Sequence, residues 1–473
     1  MTIQFERPSV PLDRAGQNPA PDAARQSRRR LARADLLVIA AWTSGPLAAA
    51  LYLSEGAASN FSSLAETVTS LGILAGLIGT NFVLVMLVLA ARIPLIDATI
   101  GHDRALATHK ALGKPALYLL LGHATLLLTG YAMLEGINPI AEIGSLLATP
   151  DMPLAFVGLG LMILVVVTSL VAVRRKFPYE LWFGIHLLSY AAVLAALPHQ
   201  LSVGGVLAEG TVQRVYWIGL YVLALGSILT FRFIEPVVSS LRHAVRVDSV
   251  VWHSPDTASV HLSGRHLDRL QARGGQYFQW RFWSRGLWWH SHPISLSAVP
   301  DTASARITVR VLGAGTARML TVRPGTRVSF EGPYGLFTDR ARTAPKLAIL
   351  ASGIGVTSVR ALLEQSQPAP GEATILLRYS AGGPMYLWDE MQELAARYGA
   401  QLYAMIGERP THVESWMSAT DVARGVTLRT VFPDLRSSDL YICGPTRWTD
   451  LAAAAARAEG LPDVQLHVER FDW

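Results

Sequence analysis

The sequence is poor in cysteine and in charged residues. Its 473 residues include a single cysteine, Cys443, which excludes an internal disulfide and suits a reducing compartment. Asp, Glu, Lys and Arg make up only 16% of the chain, whereas 51% is hydrophobic and the mean hydropathy is +0.31. This balance is not that of an ordinary soluble protein. The net charge of +6 is spread over loops and forms no basic stripe, so we expect no nucleic-acid partner.

The apolar residues are concentrated in the first half of the chain. Residues 1–33 are rich in Pro, Ala, Gln and Arg, lack periodicity and contain no signal-peptide core, which predicts a disordered cytoplasmic tail. Six apolar segments follow, each about long enough to cross a bilayer. They lie near residues 34–54, 67–91, 115–134, 153–173, 181–200 and 213–234. We therefore expect a six-helix transmembrane domain over residues 34–236, with the lipid bilayer as a partner.

The loops between these segments alternate in charge. One set is basic and contains Arg92, Arg104, Arg174 and Arg175, whereas the opposite set is mainly acidic. By the positive-inside rule, both termini are expected in the cytoplasm. The third and fifth segments then both run from the inner to the outer face. We expect an integral protein of the plasma membrane.

Two of these segments carry matching pairs of histidines. His109 and His123 are 14 residues apart, and His186 and His199 are 13 apart, each pair within an otherwise apolar helical run. Both spacings place the two side chains about 20 Å apart along one helix face. Side by side, the helices would pair His109 with His186 at the inner level and His123 with His199 at the outer level. Each pair suits one haem iron with two axial imidazoles, an arrangement that transfers electrons.

Each feature of this segment has an alternative interpretation. A single histidine in an apolar helix is often a hydrogen-bonded packing residue, but two pairs at matching depths are harder to explain in that way. Gly113, Gly122 and Gly184 either leave room for a flat macrocycle or pack helices together. Basic side chains near the inner pair, namely Lys110, Lys114, Arg174 and Arg175, either bind haem propionates or only set the topology.

The character of the chain changes after Ser240. Short β-rich runs are separated by Gly, Pro and Asp turns, which predicts a small antiparallel barrel over residues 243–340. We expect strands at 246–254, 258–263, 277–283 and 306–311. The Gly-rich turn Gly313–Thr316 opens a short helix after the strand that carries Arg310. Its backbone amides and this arginine would suit a pyrophosphate.

From residue 345 the pattern becomes α/β, which predicts a nucleotide-binding domain over residues 345–473. A buried strand at 347–351 leads into the Gly-rich turn Gly353-Ile-Gly-Val-Thr357 and a helix. This is a nucleotide-binding βα unit, although the third glycine of the usual Rossmann fingerprint is absent. A second strand ends at 377–380, and Cys443-Gly-Pro445 leads into the last helix.

These motifs together resemble the ferric reductase and NADPH oxidase superfamily. The resemblance extends from about residue 34 to the C-terminus. It implies a six-helix bundle with two bis-histidine b haems, followed by an antiparallel β-barrel FAD domain and an α/β Rossmann-like nucleotide-binding domain. One departure is Ser358, where the family's loop usually carries proline, and we expect it to change loop stiffness more than chemistry.

The resemblance also assigns cofactor contacts to particular residues. Those expected at FAD are His292, Pro293, Ile294, Ser295, Arg310, Gly315, Thr316, Phe471 and Trp473. Those expected at NADPH are Gly353, Gly355, Thr357, Arg378, Ser380, Cys443, Gly444 and Pro445. No acid or base side chain is expected to act beyond the cofactors, because the protein's task is placement and tuning.

Some of these assignments have a structural alternative. Cys443 is either beside the nicotinamide or a small buried hydrophobe. Phe471 and Trp473 either cover the flavin or close a core. Arg378 and Ser380 lie where an NAD-selective fold often has an acidic ribose ligand, and a cation with a hydroxyl suits a 2′-phosphate. This favours NADPH, although Arg378 could equally be a solvated surface charge.

The predicted function is transfer of electrons from cytosolic NADPH through FAD and two haems to an acceptor outside. The acceptor is expected to be oxygen, with superoxide as product, or a ferric chelate, and the outer loops do not discriminate between them. A quinone-linked membrane reductase is one alternative. A non-redox haem-binding membrane scaffold is another, disfavoured because the nucleotide motifs are all present.

Overall fold

The chain divides into two units. The computed structural model describes residues 20–54, 61–203 and 207–471. Of the described residues, the helical unit contains those in 31–243 and 329–335, and the sheet unit contains those in 20–30, 244–328 and 336–471. The boundary at 243/244 lies where the sequence changes from apolar helical runs to alternating strands.

The helical unit is built mainly from long apolar helices. They are α1 (Ala20–Leu53), α2 (Leu64–Ala90), α3 (Pro94–Thr99), α4 (His102–Glu135), α5 (Pro139–Ala148), α6 (Met152–Ser169), α7 (Val171–Arg174), α8 (Tyr179–Ser202), α9 (Val212–Ile228) and α10 (Glu235–His243). A π-helical turn, Leu229–Ile234, joins α9 to α10. Six helical stretches of the described residues are long and apolar enough to cross a bilayer, as the sequence predicts.

The N-terminal segment differs from the prediction. Because α1 begins at Ala20, residues 20–33 lie in a helix and not in the disordered tail that the sequence predicts. The alanines and arginines of this stretch are good helix formers, so the helix extends beyond the apolar run. The remainder of the predicted tail, residues 1–19, lies outside the described residues.

Small residues allow α2 and α4 to pack closely. A Cβ atom added at Gly72 would lie 3.0 Å from the Leu127 side chain, and one added at Gly79 would lie 3.1 Å from Leu119. Backbones that approach in this way are characteristic of membrane helix pairs.

The helical unit also contains a cluster of charged residues. Glu331 accepts hydrogen bonds from the guanidinium groups of Arg92 and Arg232, the latter at 2.9 Å.

The first part of the sheet unit consists of short strands. They are β1 (Arg246–Ser254), β2 (Thr257–Ser263), β3 (Tyr277–Phe282), β4 (His292–Ser295) and β5 (Ser304–Arg310), with helix α11 (Ala314–Met319) after β5. The next strand, β6 (Val328–Tyr334), begins at the last residue of this part, and its other residues belong to the helical unit. Strands β1, β2 and β5 form one antiparallel sheet, β3 pairs with β4 in another, and Leu296 bridges to Ile307. The strands lie close to their predicted positions, but they do not close into a single barrel.

The second part of the sheet unit is α/β, as predicted. Its elements are β7 (Lys346–Ser352), α12 (Val356–Ser366), β8 (Ala373–Tyr379), α13 (Trp388–Tyr398), β9 (Gln401–Ile406), α14 (Ala419–Ala423), α15 (Leu428–Val431), β10 (Ser438–Pro445), α16 (Thr446–Ala458) and β11 (Leu466–Phe471). The strands form a parallel sheet in the order β11-β10-β7-β8-β9. Since β7 and β10 are buried along nearly their whole length, they appear in the sequence as continuous apolar runs.

Candidate cofactor sites

The four histidines come together in the two pairs that their spacing predicts. The ring centres of His109 and His186 are 6.1 Å apart, and those of His123 and His199 are 6.5 Å apart. The first member of each pair lies on α4 and the second on α8, so the two helices present facing imidazoles at two levels.

Backbone carbonyls orient the two imidazoles of α4. His109 Nδ1 lies 3.0 Å from the carbonyl oxygen of Met86, and His123 Nδ1 lies 2.9 Å from that of Gly72. Because a carbonyl oxygen only accepts hydrogen bonds, Nδ1 must carry the proton in both rings. This leaves Nε2 of each ring with a lone pair for a metal ion, the usual arrangement of a histidine ligand.

The dimensions of both pairs fit an iron atom between the rings. A metal ion lies about 2 Å from an imidazole nitrogen, which is itself about 1 Å from its ring centre, so two imidazoles sharing one ion have ring centres about 6 Å apart. The observed 6.1 and 6.5 Å agree with this separation. The outer pair lines a cavity of about 300 Å³ whose other walls are largely apolar. The donor set and the cavity therefore fit a bis-imidazole haem.

The glycines around the pairs have two different roles. A Cβ atom at Gly122 or Gly184 would meet nothing within 4 Å, so these residues border open space and do not pack helices together. A Cβ atom at Gly76, in contrast, would lie 2.4 Å from His123 Nδ1. Gly76 thus allows the outer imidazole to lie against α2. Sequence reasoning missed this residue, although the spacing of Gly72 and Gly76 is a small-xxx-small signal.

A polar group also supports the inner pair. The Ser169 hydroxyl lies 3.3 Å from His186 Nδ1 and accepts a hydrogen bond from Trp182 Nε1 at 3.3 Å. The Arg174 guanidinium lies over the Trp182 ring at 4.5 Å. Sequence reasoning missed both residues. Ser169 gave no signal because its relation to His186 depends on how α6 and α8 pack, whereas Trp182 lies four residues before His186 on α8 and could have been found from helical spacing.

The structure brings the two predicted parts of the flavin site together. His292 begins β4, where it pairs with Trp280 of β3. A Cβ atom at Gly315 would lie 3.2 Å from the His292 ring, so the turn after β5 lies directly against this histidine. His292 Nε2 is buried and has no hydrogen-bond partner among the described residues. Burial and the neighbouring His290 lower the pKa of His292, which favours a neutral ring.

The other expected flavin residues of this part lie on the same two elements. Pro293 is exposed, Ile294 is partly buried and accepts a hydrogen bond from Trp280 Nε1 at 2.9 Å through its carbonyl oxygen, and Ser295 is buried. The Thr316 hydroxyl accepts hydrogen bonds from the amides of Leu312 at 2.9 Å and Gly313 at 3.2 Å. It therefore shapes the turn that was expected to bind a pyrophosphate.

Arg310 is held by an acidic residue that the sequence analysis did not identify. Its Nε donates to Asp256 Oδ2 at 2.9 Å, and the Tyr386 hydroxyl donates to the same oxygen at 3.2 Å. Burial raises the pKa of Asp256, but hydrogen bonds from Ser254, Arg310 and their neighbours outweigh it and lower the pKa to about 2. The carboxylate is thus charged at neutral pH and fixes the exposed Arg310 at the end of β5.

The nucleotide loop and the Cys443 segment meet at the ends of β7 and β10. A Cβ atom at Gly355 would lie 2.4 Å from the Cys443 carbonyl oxygen, and one at Gly444 would lie 3.2 Å from Ser352. Gly353 has a φ of +57°, which favours glycine. Only glycine therefore allows these two segments to approach. Thr357 donates a hydrogen bond to the Ile354 carbonyl at 3.0 Å and is buried.

Two residues that were expected at the nicotinamide and the flavin pack in the core, Cys443 fully buried and Phe471 partly buried. The Cys443 side chain is fully buried in the core of the parallel sheet, and burial raises its pKa well above the usual range of a thiol. Phe471 pairs with Pro445 and packs against the same core. Both positions agree with the packing roles that the sequence analysis left open. Trp473 lies outside the described residues.

Arg378 is not available to a ligand in the way expected. It is 4% exposed, and its guanidinium donates to the carbonyl oxygens of Tyr379 and of Gly407, the latter at 2.7 Å. Burial and the positive charge of Arg409 lower its pKa. Ser380 and Arg409 are both exposed at this end of the sheet. Arg409 thus offers an exposed cation after β9, which sequence reasoning missed because it follows a different strand from Ser380.

Both parts of the chain have known relatives. The ferric reductase like transmembrane component family matches residues 75–197, a range that includes His109, His123 and His186. The chain is 30% identical over 192 residues to ferredoxin–NADP reductase B of Sorangium cellulosum. The match covers 38% of this chain and 77% of that protein. The chain belongs to the ferredoxin–NADP reductase family. With the transmembrane component in front, it has the architecture of the ferric reductase and NADPH oxidase superfamily.

Two further similar proteins are less identical to this chain. An NADPH oxidoreductase of Mycobacterium tuberculosis is 25% identical over 251 residues, which are 50% of this chain and 62% of that protein. A crystal structure of the FAD/NAD-binding domain of nitric oxide dioxygenase from Vibrio cholerae is 20% identical and covers 49% of this chain and 99% of that one, with a TM-score of 0.40.

The combination of these two parts defines the broad activity. A ferric-reductase-like transmembrane component is fused to a reductase module that binds FAD and NAD(P)H. The protein is therefore an integral membrane oxidoreductase that uses NAD(P)H.

Proposed function

We propose that the protein passes electrons from cytosolic NADPH, through FAD and two bis-histidine b haems, to an acceptor on the outer face. The observation that carries this proposal is the pair of facing imidazoles at each of two levels, with ring centres 6.1 and 6.5 Å apart. A scaffold that merely carried haem would need neither two levels of ligands nor a reductase module in the same chain.

The chain's own residues would place and tune these groups. Bound FAD would accept electron pairs from NAD(P)H, and haems would carry single electrons across the membrane. His109 and His186 would hold the inner iron, and His123 and His199 the outer one. The hydrogen bonds from Nδ1 of His109 and His123 to backbone carbonyls fix the rings and leave Nε2 for the metal.

NADPH is favoured over NADH by the surface at the end of β8. Ser380 offers a hydroxyl and Arg409 offers an exposed cation, which together suit a 2′-phosphate. The buried Arg378 guanidinium donates a hydrogen bond to the carbonyl oxygen of Gly407, two residues before Arg409, and so helps to hold the backbone of this surface in place.

We also propose that both termini lie in the cytoplasm and that the membrane is the plasma membrane. Among the membrane-spanning helices, the basic segments lie at the connection from α2 to α4 and at the connection from α6 to α8. The positive-inside rule places these connections in the cytoplasm. The reductase module would then meet cytosolic NADPH, and His123 and His199 would lie toward the outer face.

The decisive experiment is anaerobic reduction of the FAD-loaded, full-length protein by NADPH in lipid nanodiscs. We expect the haem Soret and α bands to shift to the reduced form. Oxygen or a ferric chelate is then added. Rapid reoxidation by oxygen with superoxide formation identifies an oxidase, and preferential reoxidation by the chelate identifies a ferric reductase.

Other outcomes would contradict the proposal. Reoxidation by a quinone, blocked by a quinone analogue, would indicate a quinone-linked reductase. Haem bands that NADPH does not change, in a protein whose FAD is reduced, would indicate a haem scaffold. A purified protein without a haem spectrum would rule out the bis-histidine sites.

A further inference from the structure

A short loop of the sheet unit exposes several tryptophans. Residues 283–291, the tryptophan loop, connect β3 to β4 and contain three of the twelve tryptophans of the chain. Trp283, Trp288 and Trp289 are 54%, 50% and 56% exposed. The rings of Trp288 and Trp289 lie 5.6 Å apart and form one continuous apolar surface. Soluble surfaces seldom present such clusters without a partner.

The loop is held in this shape by its own backbone. The amides of Leu287 and Trp288 donate to the Ser284 carbonyl at 3.1 and 3.2 Å, and that of His290 donates to the Leu287 carbonyl at 3.1 Å. The Leu287 side chain is 1% exposed and anchors the loop in the core. Gly286, with a φ of +81°, allows the turn. Exposure of the tryptophans is thus a consequence of an ordered turn that points its neighbour Leu287 inward.

Two arginines lie at the loop. The loop contains Arg285, which is exposed, and no aspartate or glutamate. A Cβ atom at Gly286 would lie 3.0 Å from the guanidinium of Arg318, so a second exposed arginine lies against the turn. Two cations beside exposed aromatic rings complement a surface that has an anionic outer layer and an apolar interior.

From these observations we infer that the tryptophan loop inserts into the headgroup region of a bilayer that contains anionic phospholipid. Tryptophan combines an apolar ring with an N–H donor and is enriched at membrane interfaces for this reason. Arginine near such a surface is attracted to anionic headgroups. The described residues of the same chain include six helices long and apolar enough to cross a membrane, so a bilayer is part of the surroundings of this protein. This inference depends on those helices and not on the identity of the electron acceptor.

The test uses the FAD-loaded, full-length protein in nanodiscs. A nitroxide is attached to Trp288→Cys, and to Trp289→Cys as a second variant. The only native cysteine, Cys443, is fully buried and does not interfere. Val413→Cys, at an exposed apolar residue of the nucleotide-binding part, is the matched control. Collisions of the nitroxide with oxygen, which enters lipid, and with a water-soluble nickel chelate are measured by electron paramagnetic resonance.

In nanodiscs of phosphatidylcholine with phosphatidylglycerol, we expect nickel collisions at positions 288 and 289 to be several-fold fewer than at position 413, while oxygen collisions are at least as frequent. Added to the labelled Trp288→Cys protein, Arg285→Glu should restore most of the nickel collisions in this mixture, because it replaces an attraction by a repulsion. In phosphatidylcholine alone the same change should have little effect.

Three results would overturn the inference. Equal nickel collisions at all three positions would show that the loop faces water. A loss of both oxygen and nickel collisions, whatever the lipid, would show that protein covers the loop, either a partner or a second copy of the chain. Loss of the FAD spectrum in both tryptophan variants would show that the loop belongs to the flavin site, which begins at His292.

Discussion

The helical unit and the sheet unit place their candidate ligands in different ways. In the helical unit, the four histidines lie on two continuous helices, and backbone carbonyls of α2 orient two of them. In the sheet unit, several contacts join residues from separate elements, such as His292 of β4 with Gly315 of α11. A constant rise per residue makes the first arrangement readable from spacing, whereas the second depends on strand pairing and turns.

The two units also differ in how they hold charge. Neutral imidazole and carbonyl groups define the sites between the membrane helices, where an unpaired charge would be costly. The sheet unit uses ion pairs, for example Arg306 with Glu390 at 2.7 Å and Arg360 with the same carboxylate at 2.8 Å. Burial raises the pKa of Glu390, but the two guanidinium groups outweigh it and lower the pKa overall. Changes in pH and salt should therefore act more on these ion pairs than on the hydrogen bonds that orient the histidines of the helical unit.

The largest effect is expected from the outer histidines. His123→Ala or His199→Ala should each remove one of two haems, because a single imidazole cannot supply both axial ligands. The haem-to-protein ratio should fall by half, and transfer to an outer acceptor should be lost, while NADPH still reduces FAD at the wild-type rate. The ratio is measured by the pyridine haemochrome assay.

The control for this change is His412→Ala, at an exposed histidine of the sheet unit. It should leave both haems bound. Loss of both haems from a single outer substitution, in a protein that remains folded by circular dichroism, would contradict the pairing of His123 with His199.

A smaller effect in the same unit is expected from Gly76→Ala. The added Cβ would lie 2.4 Å from His123 Nδ1, so the ring must move away from its carbonyl acceptor. We expect the outer haem to be lost or its spectrum altered, with the inner haem unchanged. Gly160→Ala, where a Cβ would meet nothing within 4 Å, is the matched control in a membrane helix. Identical low-temperature haem spectra for the two variants would show that α2 does not position His123.

In the sheet unit, Arg409 and Arg378 should behave differently. Arg409→Ala should raise the KM for NADPH about tenfold, the equivalent of one charge-assisted hydrogen bond at an exposed site, and leave that for NADH unchanged. Arg378→Ala should instead lower thermal stability and impair both nucleotides, since it removes the guanidinium donor from the Gly407 carbonyl and one of the two donors from the Tyr379 carbonyl. Equal effects of Arg409→Ala on both nucleotides in steady-state kinetics would argue against a 2′-phosphate contact.

The smallest effect concerns Asp256 and pH. Because its pKa in the folded protein is about 2, below the ordinary carboxyl value, its stabilising effect is present above about pH 4 and is lost as the pH falls toward 2. Its side chain is 36% exposed, so we expect a contribution of only about 1 kcal/mol. Asp256→Asn should remove this amount near neutral pH, as measured by thermal unfolding with FAD bound.

The control for the Asp256→Asn prediction is the pH dependence of the stability difference. The difference between wild type and Asp256→Asn should shrink as the pH falls below about 4, because the wild-type carboxylate is then protonated as well. Asp463→Asn, at a carboxylate that is 77% exposed, should change stability little at any pH. A difference that stays constant down to about pH 2 would show that the charge of Asp256 is not what holds Arg310.

The sequence by itself determined the six membrane helices, the α/β part and the pairing of the four histidines. Each follows from a local period, namely apolar run length, helical spacing or the alternation of strand and helix. It also indicated the short antiparallel strands, but not that they leave the barrel unclosed, since closure depends on pairings between distant strands.

Only the tertiary structure decided which side chains around these elements are available to a ligand. Arg378 looked like a phosphate ligand from its position after a strand, yet the fold commits its guanidinium to two carbonyl groups and leaves Arg409 exposed. Cys443 lies in the expected segment, but its thiol is buried. The need for glycine at position 76 is seen only in the contact between α2 and α4, where a Cβ atom would meet the His123 ring. Whether a side chain can reach a ligand depends on the residues that pack against it from distant parts of the chain. The local sequence does not show which residues those are.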